Sequence, residues 1–149
     1  MPARIDPPIA HQRLQSESGT IYLDVRSSRE FAQGHPVGAY NVPLMEHDPA
    51  TGMMLPNPHF VHQVQALFPT DAAIITGCRS GQRSFQAASL LEQAGYLNVV
   101  DMTGGLSGKA NEIGMKIEPG WVDHELPLTK ESEPGHDFES LLERIAKGG

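Results

Sequence analysis

The sequence predicts an α/β fold with a mostly parallel central sheet flanked by helices. Short β-rich apolar runs alternate along the chain with segments of helical periodicity. The runs are largely apolar, as is typical of strands buried on both faces of a parallel sheet. Because ligands bind beyond the carboxyl ends of strands in such sheets, we expect the functional site in the loops that follow the strands.

Four strands and five helices follow from these patterns. The predicted strands cover residues 20–25, 39–42, 72–76 and 97–102. Apolar side chains at helical spacing predict helices within residues 4–18, 58–68, 84–94 and 137–146. A shorter helix is expected around Glu30 and Phe31, with Ser27 or Ser28 as its cap.

Two stretches lack periodicity and are predicted to be irregular. Residues 43–58 contain four prolines and three methionines, which indicates a surface loop or lid. Residues 129–135 are polar and indicate a linker. We therefore divide the chain into a domain at residues 1–129 and a segment at 130–149 that holds the linker and a C-terminal amphipathic helix.

Composition narrows the function classes. The 149 residues suit one domain, and the net charge of −7 comes without a basic block, which argues against nucleic acid as a partner. The apolar runs are too short to cross a membrane, and the N-terminus lacks the apolar stretch of a secretory signal, so we expect a cytoplasmic protein. A single cysteine permits no internal disulfide and no cysteine-based zinc site.

The loop after the predicted strand at residues 72–76 carries the chain's one cysteine, followed by two arginines. Its residues are Cys78, Arg79, Ser80, Gly81, Gln82, Arg83 and Ser84. A helix is predicted to begin at the end of this loop, and helix N-termini present unpaired N–H groups that bind anions. Since cations and helix N-termini stabilise a thiolate, the nucleophilic form of cysteine, the loop predicts a reactive thiol in an anion-binding cradle.

Four ordered segments resemble the single-domain rhodanese family. Residues 78–84 match the family's CRxGxRS active-site loop, and residues 34–43 are similar to its GHxxGAxNxP segment. The other two are residues 22–26 followed by Glu30 and Phe31, and residues 95–99 followed by Gly104, Gly105 and Trp121. The resemblance covers about residues 5–128, and residues 43–68 are similar to the plant senescence-associated and related bacterial subgroup.

The chain departs from the family pattern between the paired glycines and the tryptophan. The family usually places its tryptophan a few residues after the glycines, whereas residues 107–120 intervene here. We interpret residues 107–120 as an insertion before Trp121, beside one wall of the pocket.

The resemblance implies a rhodanese-like fold and the activity of a thiosulfate sulfurtransferase, with no cofactor and no metal. In that reaction Cys78 takes the outer sulfur of a donor such as thiosulfate and releases sulfite. The persulfide then passes its sulfur to a thiophilic acceptor such as cyanide or a thiol, including a protein thiol. In the family's mercaptopyruvate enzymes, small neutral residues usually follow the cysteine. The arginines that follow Cys78 therefore favour thiosulfate over mercaptopyruvate as the sulfur donor.

Each residue type in the loop has an expected role. Cys78 is the predicted nucleophile. Arg79 and Arg83 are expected to attract the dianionic donor and to stabilise the departing sulfite. Gly81 is expected to allow the tight turn that brings successive N–H groups onto the sulfur. The predicted substrate-binding residues are Arg79, Ser80, Gly81, Gln82, Arg83 and Ser84.

Asp24 and Arg26 close the first predicted strand and are interpreted as structural residues near the site. An acid and an arginine at a strand end most often tie the neighbouring loop through hydrogen bonds and a partner such as Glu30.

Two alternative functions stay open. A phosphatase or arsenate reductase needs five residues between its cysteine and arginine, whereas four separate Cys78 from Arg83, a shorter ring that suits a sulfur atom better than a phosphate. The second alternative is a binding module or persulfide carrier for one protein partner. Regulatory domains of this kind have often lost the cysteine, whereas this chain keeps it.

Overall fold

The computed structural model describes residues 1–148 and confirms the predicted α/β fold. The described strands are β1 (Ala3–Ile5), β2 (Ile21–Asp24), β3 (His35–Pro36), β4 (Tyr40–Asn41), β5 (Met45–His47), β6 (Met54–Pro56), β7 (Ala73–Gly77), β8 (Asn98–Met102), β9 (Lys109–Ala110), β10 (Lys116–Glu118) and β11 (Leu128–Thr129). The described α-helices are α1 (Pro7–Ser16), α2 (Ser28–Gln33), α3 (Phe60–Leu67), α4 (Gln82–Gln93) and α5 (Phe138–Ala146). The central sheet has the order β1-β8-β7-β2-β4, and every adjacent pair in it is parallel.

The sheet is covered on both faces, which explains its apolar strands. Neighbouring residues in a strand point to opposite faces, so Leu23 and Ile74 pack in one cluster and Tyr22 and Ile75 in another. The first cluster includes buried side chains of α3, α4 and α5, and the second includes Ala10 of α1 together with Phe31 and Trp121. The carboxyl ends of β2, β4 and β7 therefore meet at one edge of a rigid three-layer core.

The start of α2 confirms the prediction of a capped helix after the first buried strand. Ser27 is the N-cap residue: its side chain accepts a hydrogen bond from the Glu30 N–H, and the Glu30 carboxylate accepts one from the Ser27 N–H. This reciprocal capping box satisfies two N–H groups that a helix leaves unpaired. It also fixes the position of the Glu30 side chain.

The first residues differ from the prediction of a helix within residues 4–18. Residues 3–5 form the edge strand β1, which pairs with β8, and α1 begins only at Pro7, with Asp6 as its N-cap. The proline pair fits the first helical turn, where no intrahelical N–H bond is lost, but it also prevents the helix from beginning earlier. A strand of three residues is too short to show a pattern of its own.

One stretch predicted to be irregular and the stretch interpreted as an insertion each contain a hairpin. Residues 43–58 contain β5 and β6, which are antiparallel, so this stretch is not a structureless loop. The insertion at residues 107–120 contains the second hairpin, β9 and β10, with a register irregularity. The predicted linker begins inside β11, which pairs with β3. Strands of two or three residues are too short to show the periodicity by which strands are predicted.

The C-terminal helix packs on the core of the domain. Asp137 caps α5, and Leu141 is fully buried among the side chains of the first cluster, with Phe138 and Ile145 beside it. The Arg144 guanidinium donates a hydrogen bond to the Leu67 carbonyl at 3.3 Å. The helix therefore shares the core of the other elements, while the domain division at residue 129 stays a prediction.

Among residues 1–148, no helix has both the length and the apolar character that a membrane span requires.

Replacing the buried leucine of α5 tests whether this helix contributes to the core. Leu141→Ala should lower the free energy of unfolding by about 2–5 kcal/mol, because it removes buried methyl groups and leaves a cavity. The control is Leu142→Ala: its side chain is 39% exposed, so the loss should stay below about 1 kcal/mol. Urea denaturation measures both, and equal losses would show that α5 does not pack as described.

Candidate active site

Cys78 lies directly after β7, at the carboxyl end of a central strand. Its side chain is 2% exposed, and the sulfur accepts hydrogen bonds from the Gly81 N–H at 3.1 Å and from the Ser84 N–H at 3.3 Å. The thiol itself donates to the Ser84 hydroxyl at 3.3 Å. Both N–H groups belong to the first turn of α4, where unpaired donors and the helix dipole favour a negative charge. The site is therefore prepared to hold a thiolate.

The backbone of Gly81 makes this arrangement feasible. Its φ angle is +103°, in the left-handed region that side chains disfavour, and it serves as the N-cap of α4. A Cβ at this position would also lie 3.3 Å from the Gly104 nitrogen. Of the loop N–H groups expected to converge on the sulfur, only those of Gly81 and Ser84 do so in the described chain. The cradle is smaller than the sequence predicted.

Arg83 is bound to Glu30 instead of pointing freely into the site. Its two terminal nitrogens lie 2.7 and 2.9 Å from the two carboxylate oxygens of Glu30, a bidentate ion pair. Burial alone would raise the pKa of Glu30, but the hydrogen bonds and charge of Arg83 and the contacts with Ser27 lower that pKa to about 2. The predicted contact of Arg83 with substrate stays a prediction, and the geometry gives this side chain a first role in joining α4 to α2.

Arg79 has the character expected of a donor-binding residue. It is exposed, and within residues 1–148 no acidic side chain pairs with it. It lines a cleft of about 320 Å³ together with Arg26, Glu30 and Ser107. Its charge is therefore available to an anion that enters beside the cysteine loop.

Asp24 and Arg26 form a buried pair. The Arg26 guanidinium donates to both carboxylate oxygens of Asp24, with a shortest distance of 2.7 Å, and its second contact is the Gly34 carbonyl at 2.7 Å. This geometry fits the expected structural role, because it ties β2 to the turn after α2. The expected partner Glu30 is taken by Arg83, so that detail of the prediction is wrong.

A second loop supports the cysteine loop from behind, and sequence reasoning missed it. The N–H of Leu106 donates to the Cys78 carbonyl and that of Ser107 to the Arg79 carbonyl, both at 2.8 Å. A Cβ on Gly105 would lie 2.6 Å from the Cys78 carbonyl oxygen, so only glycine fits there. In the sequence, the paired glycines at positions 104 and 105 are the feature that could have indicated this supporting loop.

The inserted residues 107–120 are followed directly by the buried Trp121. Trp121 is 1% exposed and donates its indole N–H to the Pro127 carbonyl at 3.0 Å. The inserted hairpin brings Lys109 to a pocket of about 310 Å³ on the other side of the cysteine loop. That pocket is lined by Arg4, Ser80, Gly81, Gln82, Phe85 and Lys109. Through Lys109, residues 107–120 therefore contribute to a wall of the pocket beside the cysteine loop.

Replacing Glu30 by glutamine tests the ion pair with Arg83. A carboxylate with a lowered pKa stabilises the fold above its unfolded value of 4.5, and this contribution is lost as the pH falls through about 2. Glu30→Gln should lower stability at pH 7 on the order of 1–2 kcal/mol after solvent screening and should flatten the pH dependence in this window. Urea denaturation from pH 2 to pH 7 measures both. The exposed Glu112→Gln is the control, and an unchanged pH profile in Glu30→Gln would contradict the pairing.

Comparisons with known proteins show the family of the chain. A family model described as "Rhodanese-like domain" matches residues 7–112. "Thiosulfate sulfurtransferase 16, chloroplastic" of Arabidopsis thaliana is 44% identical over 110 residues, covering 74% of this chain and 88% of that protein. "Senescence-associated protein DIN1" of Raphanus sativus is 37% identical, covering 81% of this chain and 58% of that longer protein. The crystal structure of Rv0390 from M. tuberculosis is similar in fold, with a TM-score of 0.71, 24% identity, and coverage of 87% of this chain and 98% of that one. The chain belongs to the rhodanese family.

Proposed function

We propose that this chain is a sulfurtransferase that moves sulfane sulfur from thiosulfate to a thiophilic acceptor through a persulfide on Cys78. One observation carries the proposal: the Cys78 sulfur is the focus of two backbone N–H donors at the start of α4. Such donors stabilise negative charge on sulfur both before attack and in the persulfide. The names of two Arabidopsis thaliana relatives, thiosulfate sulfurtransferases 16 and 18, support the same reaction.

The reaction has two halves. In the first, the Cys78 thiolate attacks the outer sulfur of thiosulfate, a sulfur–sulfur bond forms, and the bond to the inner sulfur breaks with its electron pair leaving on sulfite. In the second, cyanide or a thiolate attacks the outer sulfur of the persulfide, and the electron pair returns to the Cys78 sulfur. No net oxidation of the protein occurs, and a ping-pong kinetic pattern follows.

Arg79 and Arg83 have different electrostatic roles in the proposed reaction. Arg79 has no acidic partner within residues 1–148 and lines the cleft, so we assign it to the sulfonate oxygens of the donor. Arg83 is paired with Glu30. If Arg83 turned towards the donor, it would leave the partly buried Glu30 carboxylate without its partner, which is unfavourable. Arg83 therefore acts chiefly by fixing the helix that presents the Ser84 N–H to the sulfur.

The spacing of the loop favours sulfur over phosphate chemistry. Four residues separate Cys78 from Arg83, one fewer than a phosphatase loop needs, and Arg83 is paired with Glu30 instead of being free to bind a phosphate. The phosphatase alternative is therefore not proposed. An acceptor such as cyanide or a thiol, a role as a carrier to one protein thiol, and the cytoplasmic location stay predictions.

Intact-mass spectrometry after incubation with thiosulfate tests the proposal. The wild-type chain should gain the mass of one sulfur atom, because Cys78 is its only cysteine and the persulfide is the expected intermediate. Subsequent cyanide should remove that mass and yield thiocyanate.

Cys78→Ser is the control, and it should show neither the added mass nor thiocyanate formation. Absence of the adduct in the wild-type chain with thiosulfate would contradict the proposed donor, and its retention in Cys78→Ser would contradict the proposed nucleophile.

A further inference from the structure

A buried chain of polar side chains leads away from the Cys78 thiol. The thiol donates to the Ser84 hydroxyl at 3.3 Å, and Ser84 lies beside Asp101, because the Thr76 hydroxyl is 3.0 Å from both the Ser84 carbonyl and the Asp101 carboxylate. Burial raises the pKa of Asp101, and contact with the Ser84 side chain opposes that shift. Ser84 and Asp101 are both 0% exposed, so bulk water does not reach this side of the sulfur. The residues are far apart in sequence and come together because α4 begins above the carboxyl ends of β7 and β8.

The Asp101 carboxylate is held in place by residues of two further elements, β7 and β1. Thr76 of β7 donates its hydroxyl to one oxygen at 3.0 Å, and Arg4 of β1 donates Nε to the other at 3.0 Å. Arg4 also contacts the Gly81 carbonyl at 3.4 Å, which joins this ion pair to the cysteine loop. Tyr22 of β2 lies close enough that the charge of Asp101 contributes to raising the tyrosine pKa, after the larger effect of burial.

We propose that Ser84 and Asp101 form the route by which the Cys78 proton leaves, with Asp101 as a positioning residue that acts through the Ser84 hydroxyl. This inference rests on the proposed function only in that it explains how the thiolate used there is formed. It assigns a role to an aspartate that the cysteine loop itself does not contain.

The proton movement balances within three side chains. The S–H bond of Cys78 breaks as an O–H bond forms on Ser84, while the original Ser84 O–H bond breaks and a new O–H bond forms on Asp101. The products are a thiolate on Cys78, an intact Ser84 hydroxyl and a neutral carboxyl on Asp101. The Gly81 and Ser84 N–H groups then hold the thiolate for attack on the donor.

The electrostatics of the buried site favour such a transfer. Moving the proton relocates one negative charge from Asp101 to Cys78 instead of creating a new charge in a medium of low dielectric constant. Burial raises the pKa of Asp101, which favours its protonated form, while the contacts with Ser84, Arg4 and Thr76 oppose this shift. Arg4 lies near both ends of the route through its contacts with Asp101 and the Gly81 carbonyl, so its charge stays close to the displaced negative charge.

A merely structural role for Asp101 makes a different prediction. If Asp101 only ties β1, β7 and α4 together, its replacement lowers stability but leaves the pH dependence of Cys78 reactivity unchanged. If it accepts the proton, reactivity falls at low pH and recovers at high pH, where hydroxide removes the proton.

The test is the rate of Cys78 alkylation by iodoacetamide between pH 5.5 and 10, followed by intact mass. With one cysteine in the chain, the signal reports this thiol alone. Asp101→Asn should slow alkylation at pH 6.5 at least about tenfold, with the wild-type rate regained near the upper end of the range. Ser84→Ala should give the same profile, and the double variant should be no slower than either single one, because both break one route.

Ser89→Ala is the matched control, because it removes a hydroxyl from the same helix that bonds only the Phe85 carbonyl. It should leave the profile unchanged. Should Asp101→Asn fail to fold in urea denaturation, Ser84→Ala decides the question. Wild-type profiles in both variants, or a loss that is uniform across all pH values, would overturn the route. Alkylation needs no sulfur donor, so failure of the thiosulfate reaction would be recognised separately.

Discussion

The short hydrogen bonds from the Gly81 and Ser84 N–H groups to the Cys78 sulfur are the contacts on which the rest of the site depends. They require α4 to begin within one turn of the cysteine, which a left-handed glycine at position 81 allows. They also require the backbone of the cysteine loop to stay in place. The backbone bonds from Leu106 and Ser107 to the loop carbonyls supply that support. The chemistry of the cysteine therefore follows from backbone geometry more than from any one side chain.

Charge is distributed around this cradle in separate pairs. Arg83 with Glu30 joins α4 to α2, and Arg4 with Asp101 joins β8 to β1. Arg26 with Asp24 lies at the end of β2, where Arg26 also reaches the Gly34 carbonyl, and in each pair at least one partner is largely buried. Pairing of this kind keeps buried charges satisfied and holds the elements in one register. Arg79 alone among the arginines of the cleft and the cysteine loop has no acidic partner in the described chain. The site thus combines a rigid paired frame with one available cation for an anionic donor.

Features encoded in neighbouring residues could be predicted from the sequence. The buried strands, the Ser27 cap, the C-terminal helix and the cysteine at a strand end all follow from local pattern, and the structure confirms them. The contacts between distant residues could not be predicted. Glu30 and Arg83 are 53 residues apart. The residues around Glu30 do not indicate whether it pairs with Arg83 or with Arg26. The hairpin strands of residues 45–56 and the edge strand β1 are too short to show a periodic pattern. Their conformation is therefore determined by packing against other parts of the chain.

The Michaelis constant for thiosulfate in an Arg79→Ala variant tests whether the unpaired Arg79 binds the donor while the paired Arg83 has a structural role. Loss of a charge-assisted hydrogen bond costs about 1.5–3 kcal/mol, so KM should rise roughly 10- to 100-fold while unfolding stays unchanged. Arg79→Lys, which keeps the charge, should recover part of the affinity. An unchanged KM in Arg79→Ala would contradict the account.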